Sequence, residues 1–323
     1  MSVQNIIINE ILIEKSRFSP GRFLFGLSAP GSVPEESSYR RLGTIHPIIV
    51  CRDMSGQVHL IDGAKRIYFA GLRQPGISAI VLTDATPVTD IISLIQCDKR
   101  NEIDQSVINK VMFICFALSL GAPESWVLES LCVPLGFRPY NDFLKDCGRI
   151  NNLPEELRRF CHEKKFSLKQ ILNLTHYPED VLSQLMSWKA MLQLTASILD
   201  EMASSLKDYL ISHDKGMGDF LSEPEVHEIM GSPLGHRERT ERLRSFIHKK
   251  RFPVLSETNK RIEGKVAQLY LPKNISLDWD RTLENKNLDI TLHVQDIEKL
   301  KDLLDVLNSD AMKEAVKGML DEL

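Results

Sequence analysis

A glycine and two cations stand together within the stretch "HLIDGAKRIYFAGLRQPGISAIVL", which covers residues 59–82. Gly63 follows a short apolar run, and Lys65 and Arg66 come directly after it. Glycine permits backbone geometry that a side chain obstructs, and a helix predicted from Ala64 directs its first N–H groups at whatever lies before it. Two positive charges at such a turn suit a phosphate group. The alternative is that both cations belong to a solvated helix face.

A second group of polar side chains lies in residues 123–150, "PESWVLESLCVPLGFRPYNDFLKDCGRI". This pattern predicts two short helices joined by the turn 133–136, which is the outline of a helix–turn–helix. We expect the second helix to begin near residue 138 or 139 and to end near residue 148. It would offer these side chains to base edges and phosphates: Arg138, Tyr140, Asn141 and Lys145. Asp142 and Asp146 on the same helix repel phosphate, and such helix pairs also occur in proteins that do not bind DNA.

The densest positive charge lies in the segment "HRERTERLRSFIHKKRF", where two glutamates accompany a larger set of cations: Arg237, Arg239, Arg242, Arg244, Lys249, Lys250 and Arg251. On a helix these cations would be spread around the axis and would outnumber the local carboxylates. This excess predicts contact with a polyanion, through Arg242, Arg244, Lys249, Lys250 and Arg251. A solvated helix whose cations are paired within the chain is the alternative.

Composition limits the class of protein that positions these groups. The chain has 323 residues, of which 43% are hydrophobic and 26% charged, with a net charge of -4. We expect roughly two or three domains and no uniformly basic surface. No apolar run approaches the roughly 20 residues that cross a bilayer, and the N-terminus lacks a signal-peptide pattern, which predicts a cytoplasmic protein. Six cysteines without a Cys-x-x-Cys pair predict reduced thiols and no metal–thiolate site.

The elements that carry these residues predict an α+β protein. Strand-like runs "NIIINEILI", "HPIIVC", "VHLID" and "ISAIVL", with a short helix at 37–42, predict a small mixed α/β domain over residues 1–98. Helical periodicity then predicts a helix–turn–helix domain at 99–187, with helix starts at Pro154, Ser167 and Pro178. Further helices, including the basic segment, are predicted at 188–260, and one strand followed by two helices at 261–323.

The last segment also predicts an assembly. Its first helix carries one apolar stripe, formed by Ile297, Leu300, Leu303, Leu304 and Leu307. A strand and two helices form too small a unit to bury such a stripe alone. We therefore predict a homodimer held by the C-terminal segment. Docking of this helix onto the rest of its own chain is the alternative.

Two stretches resemble the ParB proteins of chromosome and plasmid partition. "HPIIVCRDMSGQVHLIDGAKRIYFAGLRQPGISAIVL" is similar to the ParB segment in which a proline-containing strand precedes a Gly-x-Arg-Arg-like turn and helix. "LPEELRRFCHEKKFSLKQILNLTHYP" resembles the helices that follow the ParB helix–turn–helix. The resemblance covers about residues 36–180. It implies a ParB-like N-terminal domain, a role in partition or nucleoid organisation, and double-stranded DNA and a partition ATPase as partners.

The resemblance also implies a nucleotide. In ParB proteins the Gly-Glu-Arg-Arg turn holds the triphosphate of CTP, and binding closes the protein into a clamp that slides on DNA. By this resemblance Gly63, Lys65 and Arg66 contact phosphate. Ala64 stands in place of the family's glutamate, and Tyr68 in place of a further arginine.

A third ParB nucleotide segment, Glu-Asn-x-x-Arg, falls on "QCDKRNEIDQSV". Arg100 matches its arginine and is implied as a further nucleotide contact. Gln96, Cys97 and Val107 replace a glutamate, an asparagine and a later glutamate. Because magnesium prefers carboxylate and phosphate oxygens, this loss predicts CTP binding without efficient magnesium-assisted hydrolysis.

Two other functions stay open at this point. A transcriptional regulator or adaptor with a vestigial nucleotide pocket would account for the substitutions in the third segment. An enzyme is the other, since the same N-terminal fold occurs in a free-serine kinase and in sulfiredoxin. Sulfiredoxin chemistry needs a cysteine where this chain has Ala64, and the kinase turn reads Asp-Gly-His-His-Arg. A Walker P-loop is absent from the sequence.

Overall fold

The fold is α+β, as the sequence predicts. A computed structural model describes residues 10–14, 18–19, 23, 25, 46–64, 66–67 and 76–323. Lys65, Tyr68 and the predicted helix at 37–42 lie outside the described residues. The chain divides into two compact units, Met1–Ser183 and Gln184–Leu323.

A mixed sheet of five strands lies among the described residues of the N-terminal unit. Its strands are β1 (Glu10–Glu14), β2 (Phe18–Ser19), β3 (Ile48–Arg52), β4 (Val58–Asp62) and β5 (Gly76–Leu82), in the spatial order β1-β5-β3-β4-β2. β3 pairs antiparallel with β4 and parallel with β5. Apolar side chains of these three strands form one buried core, made of Ile48, Val50, Val58, Leu60, Ile77 and Ala79.

Helices follow the sheet in the N-terminal unit: α1 (Val88–Asp98), α2 (Arg100–Ile103), α3 (Val107–Ser119), α4 (Glu124–Trp126) with a π-helical continuation (Val127–Leu131), α5 (Phe143–Asn151), α6 (Glu155–Glu163) and α7 (Leu168–Leu174). The boundary between the units falls within α8 (Glu179–Ser187). The helix starts predicted at Pro154, Ser167 and Pro178 are confirmed. The sequence analysis did not predict α1. This helix contains three buried isoleucines, and isoleucine favours strands, so its composition did not indicate a helix.

Helices dominate the second unit. Its elements are α9 (Ala196–Ser212), α10 (Met217–Leu221), α11 (Pro224–Gly231), α12 (His236–Arg251), α13 (Pro253–Gln268), β6 (Ile275–Trp279), β7 (Leu288–Leu292), α14 (Ile297–Asn308) and α15 (Asp310–Leu320). Helix α12 packs against α9, α11 and α13.

The C-terminal segment contains a hairpin rather than the single predicted strand. β6 pairs antiparallel with β7, so that Leu277 faces Ile290 across the ladder. Helices α13 and α15 contribute to one core with this hairpin, built from Ile262, Leu277, Trp279, Met312 and Met319. The short run of β6 between two turns gave no period long enough to separate it from the loops on either side.

Candidate phosphate turn and nucleic-acid interface

The backbone at Gly63 fits no other residue without strain. Gly63 directly follows β4 and has a φ of +108°, a conformation that residues with a side chain rarely adopt. A Cβ placed there would lie 2.5 Å from Cγ2 of Ile48. The carbonyl of Gly63 accepts from the N–H of Ile67 at 3.0 Å, which forms the first helical turn. Glycine therefore lets this turn approach β3 closely.

Arg66 is held over this turn by two neighbouring elements. Its guanidinium donates to the carbonyl of Pro47 and to the carboxylate of Asp62. The Arg66 side chain is 20% exposed, so one part of the guanidinium faces solvent. The sequence prediction named this residue, and the structure gives it a fixed position beside Gly63.

Lys99 is the second cation at the turn. It follows α1 directly, and its N–H donates to the carbonyl of Ile95 at 2.8 Å. Its ammonium lies 3.4 Å from Asp62 Oδ1, whereas Arg66 binds Asp62 Oδ2. One carboxylate with a 10% exposed side chain thus joins two cations that come from different parts of the chain.

A second carboxylate lies beside the pair. Oδ2 of Asp98 is 3.8 Å from the ammonium of Lys99. Burial raises the pKa of Asp98, and the nearby charge of Asp62 raises it further. A carboxyl group that is more readily protonated repels an incoming anion less.

Arg100, which the resemblance implied as a nucleotide contact, makes no ion pair with Asp62 or Asp98. Its side chain is 76% exposed, and its Nε lies 3.5 Å from Asp104 on the same helical turn. The residue that the sequence prediction missed is Lys99. Lys99 directly precedes Arg100 in the sequence, but the resemblance to the third ParB nucleotide segment matched only Arg100. Lys65 lies outside the described residues.

The second helix of the predicted helix–turn–helix begins later than expected. Helix α5 begins at Phe143 and not at residue 138 or 139. The predicted turn at 133–136 is present, with the N–H of Gly136 donating to the carbonyl of Val133 at 2.9 Å, but a connection over 137–142 separates it from the helix. Buried Leu135 and Phe137 anchor the turn and the connection to the core. The carbonyl of Leu135 also accepts from the ammonium of Lys110 at 2.8 Å. Tertiary packing therefore holds the connection in a non-helical conformation.

Three of the four predicted DNA contacts thus precede the helix: Arg138, Tyr140 and Asn141, with Lys145 alone on α5. All four are exposed. Tyr140 donates its hydroxyl to Asp146 at 2.5 Å. Lys145 pairs with Asp142 at 2.8 Å. Burial, followed by the hydrogen bond to Asp146, raises the pKa of Tyr140 to about 12.

These contacts change the charge that this surface presents. The hydrogen bond from Lys145 lowers the pKa of Asp142, and Arg149 pairs with Asp146 at 3.1 Å. The two aspartates are therefore matched by cations next to them. Arg138 has no ion pair with any residue that the structure describes, so its charge faces solvent.

The basic segment is a helix, α12, and most of its cations are paired on the protein surface. Arg242 pairs with Glu238 at 3.0 Å. Arg244 binds Glu241 at 2.8 Å and Glu201 on α9 at 2.6 Å, and the hydrogen bond to Glu201 raises the pKa of Arg244.

The C-terminal end of α12 is paired in the same way. Lys250 lies 2.8 Å from Glu223, whose pKa it lowers. Arg251 pairs with Asp208. Lys249 is exposed and makes no ion pair with the described residues. The same holds for Arg237 at the other end of α12.

Arg239 differs from the other cations of α12, because it is buried. Its guanidinium donates to the carbonyls of Met191 at 3.1 Å and Ser232 at 2.8 Å. It ties the helix to two connecting segments of the same unit, which is a structural role.

Comparison with known proteins adds nothing to this geometry: no family model matches the chain, and no curated protein sequence matches it. Within the described residues, no group of three or more His, Cys, Asp or Glu side chains is arranged to hold a metal ion. None of the helices described here has the length and apolar character needed to span a membrane. The cysteines are free thiols, and burial raises the pKa of Cys115 and of Cys132 to about 11.

Proposed function

We propose that this chain is a ParB-like DNA-binding protein that acts in chromosome or plasmid partition or in nucleoid organisation, and that its N-terminal domain binds a cytidine nucleotide. The observation that supports this most is the turn at Gly63, where Arg66 and Lys99 flank one carboxylate, Asp62. Guanidinium and ammonium groups held close together favour a phosphate, which accepts several charge-assisted hydrogen bonds.

The same turn suggests how a phosphate would bind. Arg66 keeps its contact with the Pro47 carbonyl, so its position is set before the ligand arrives. A phosphate oxygen would then compete with Asp62 for the two cations. Ala64 supplies no carboxylate at the turn, and neither do Gln96 and Val107 in the third segment. We therefore propose nucleotide binding with little or no hydrolysis, since the carboxylates that the ParB turn and third segment offer to a magnesium ion are replaced here.

DNA contact is assigned to the surface around α5. Arg138, on the connection before α5, is an exposed cation that makes no ion pair with a described residue. Lys145 and Arg149 on α5 are exposed cations whose pairs with Asp142 and Asp146 a phosphate would replace. Among the cations of α12, Arg237 and Lys249 are the ones that a polyanion could contact without breaking an ion pair.

A homodimer is part of the proposal, because the apolar stripe of α14 is divided between two environments. Leu303 is buried, and Leu307 packs against the core of the same chain. Ile297 is 68% exposed and Leu304 43% exposed. A second copy would cover these outward side chains. Light scattering on the double variant Ile297→Asp/Leu304→Asp should give a monomer, whereas the control Val254→Asp, at an apolar residue that is 76% exposed, should stay dimeric.

Calorimetric titration of the full chain with CTP and with ATP tests the nucleotide part. We expect heat of binding with CTP and loss of that heat in Arg66→Gln. The absence of binding by either nucleotide would leave the second candidate, a DNA-binding regulator or adaptor with a vestigial pocket. One observation favours that candidate: Arg66 and Lys99 already have a carboxylate partner in Asp62, with which a phosphate must compete.

A further inference from the structure

Three lysines lie close together in sequence at the connection between α6 and α7. Lys164, Lys165 and Lys169 are exposed, and none of them makes an ion pair with a residue that the structure describes. Residues 164–178 contain no aspartate or glutamate. The positive charge of this surface, which we name the α6–α7 lysine surface, is therefore not balanced within its own segment.

This surface stands on a fixed connection. Phe166 is buried and meets the Phe160 ring edge-on at 5.7 Å between ring centroids. Ser167 caps α7, accepting from the N–H of Gln170, whose side chain in turn accepts from the N–H of Ser167 at 2.9 Å. A capping box and an aromatic contact at the same turn hold the backbone that carries the lysines.

The α6–α7 lysine surface is joined to the helix that we assign to DNA. Helix α7 packs directly against α5, and both lie in the N-terminal unit. A duplex seated on α5 has backbone phosphates on both sides of the groove, and proteins commonly hold them with lysines outside the recognition helix. These lysines meet this need better than the paired cations of α12, because a phosphate contact at Lys164, Lys165 or Lys169 breaks no ion pair.

We propose that Lys164, Lys165 and Lys169 form a second contact surface for the phosphate backbone of double-stranded DNA. The proposal rests on the DNA binding proposed above. It assigns no base recognition to these residues, because an ammonium on a flexible stem acts on phosphate as a point charge. Their contribution is electrostatic and independent of DNA sequence.

The salt dependence of DNA binding tests this surface. Fluorescence anisotropy of a mixed-sequence DNA duplex is measured with the full chain at increasing salt, for the parent and for K164Q/K165Q/K169Q. Each phosphate contact contributes about -0.9 to the slope of log affinity against log salt, so the triple variant should lose about 2 to 3 units of slope. The control K286Q/K313Q/K317Q removes the same charge from exposed lysines of the other unit and should keep the parent slope.

Each other outcome overturns the proposal in a recognisable way. If the triple variant keeps the parent slope, the α6–α7 lysine surface does not contact DNA, while the DNA-binding proposal stands. An equal loss in the control shows an effect of net charge alone. If the parent protein binds no duplex, both proposals are wrong. If it binds anionic phospholipid vesicles instead, the α6–α7 lysine surface is a membrane contact. Thermal unfolding of both variants should match the parent, because all six lysines are exposed.

Discussion

The turn around Gly63 and the helix α12 are both rich in cations, yet the structure uses their charges differently. At the turn, Arg66 and Lys99 share one carboxylate, Asp62, whose side chain is 10% exposed. On α12 four of the seven cations are paired, and most of their carboxylates are more than 40% exposed. Exposed ion pairs contribute only about 0 to 1 kcal/mol each, so α12 is neutralised without being strongly stabilised. The number of cations in a segment is therefore a poor guide to anion binding, because their partners decide what remains available.

Gly63→Ala should cause the largest loss of stability among these variants. It tests whether the geometry of the turn depends on packing against Ile48. A Cβ at this position meets Ile48 at 2.5 Å in a left-handed conformation, and we expect a loss of about 3 kcal/mol in the free energy of unfolding. Gly56→Ala is the control, since Gly56 has a φ of +82° but nothing within 4 Å, and should lose about 1 kcal/mol. Equal losses in urea unfolding would show that the contact with Ile48 does not constrain the turn.

Arg239→Gln tests the buried member of α12. Its loss leaves the carbonyls of Met191 and Ser232 without a donor, so unfolding by urea should show a loss of about 2 kcal/mol. Arg242→Gln, which removes an exposed pair with Glu238, should cost less than about 0.5 kcal/mol. Similar losses in the free energy of unfolding for the two variants would mean that burial does not make Arg239 more important for stability than Arg242.

Lys99→Gln should weaken CTP binding about tenfold, because one charge-assisted hydrogen bond is worth about 1.5 kcal/mol or more. Arg100→Gln removes a neighbouring charge that points toward Asp104 and should leave the affinity within about twofold. Calorimetric titration measures both variants. If Arg100→Gln has the larger effect, the sequence resemblance identified the nucleotide contact correctly and the assignment to Lys99 is wrong.

Neutralising the paired cations of α12 should change DNA binding little. The variant R242Q/R244Q/K250Q/R251Q is expected to alter the slope of log affinity against log salt by less than about 1, because each cation would first have to leave its carboxylate. Anisotropy at increasing salt gives the slope. A decrease near 3 or 4 would show that DNA displaces these ion pairs, and α12 would then be a main contact surface.

Asp98→Asn should give the smallest effect, and its sign follows from the raised pKa of Asp98. A raised pKa means that folding favours the protonated carboxyl, so the associated stability is present at low pH and is lost as the pH rises through the folded pKa. The neutral asparagine avoids that loss. We expect a higher melting temperature than the parent at neutral pH and a shrinking difference toward about pH 4. Equal melting temperatures of the two proteins at every pH would mean that ionised Asp98 does not destabilise the fold.

Local sequence signals predicted much of the fold. The apolar runs predicted the central strands, and Ser167 predicted the start of α7, where the structure shows a capping box with Gln170 that needs only neighbouring residues. Predictions went wrong where packing overrides local preference. Helix α5 begins at Phe143 because buried Leu135 and Phe137 hold the connection before it, and no local pattern encodes that burial.

The sequence by itself determined which residue types stand at the candidate sites, above all a glycine followed by cations after a strand. Only the tertiary structure decided which charges meet. Asp62 and Lys99 come together because the end of β4 lies beside the end of α1. Arg244 is paired by Glu201, a residue 43 positions away. Electrostatic interaction depends on distance and burial in space, and neither can be read from separation along the chain.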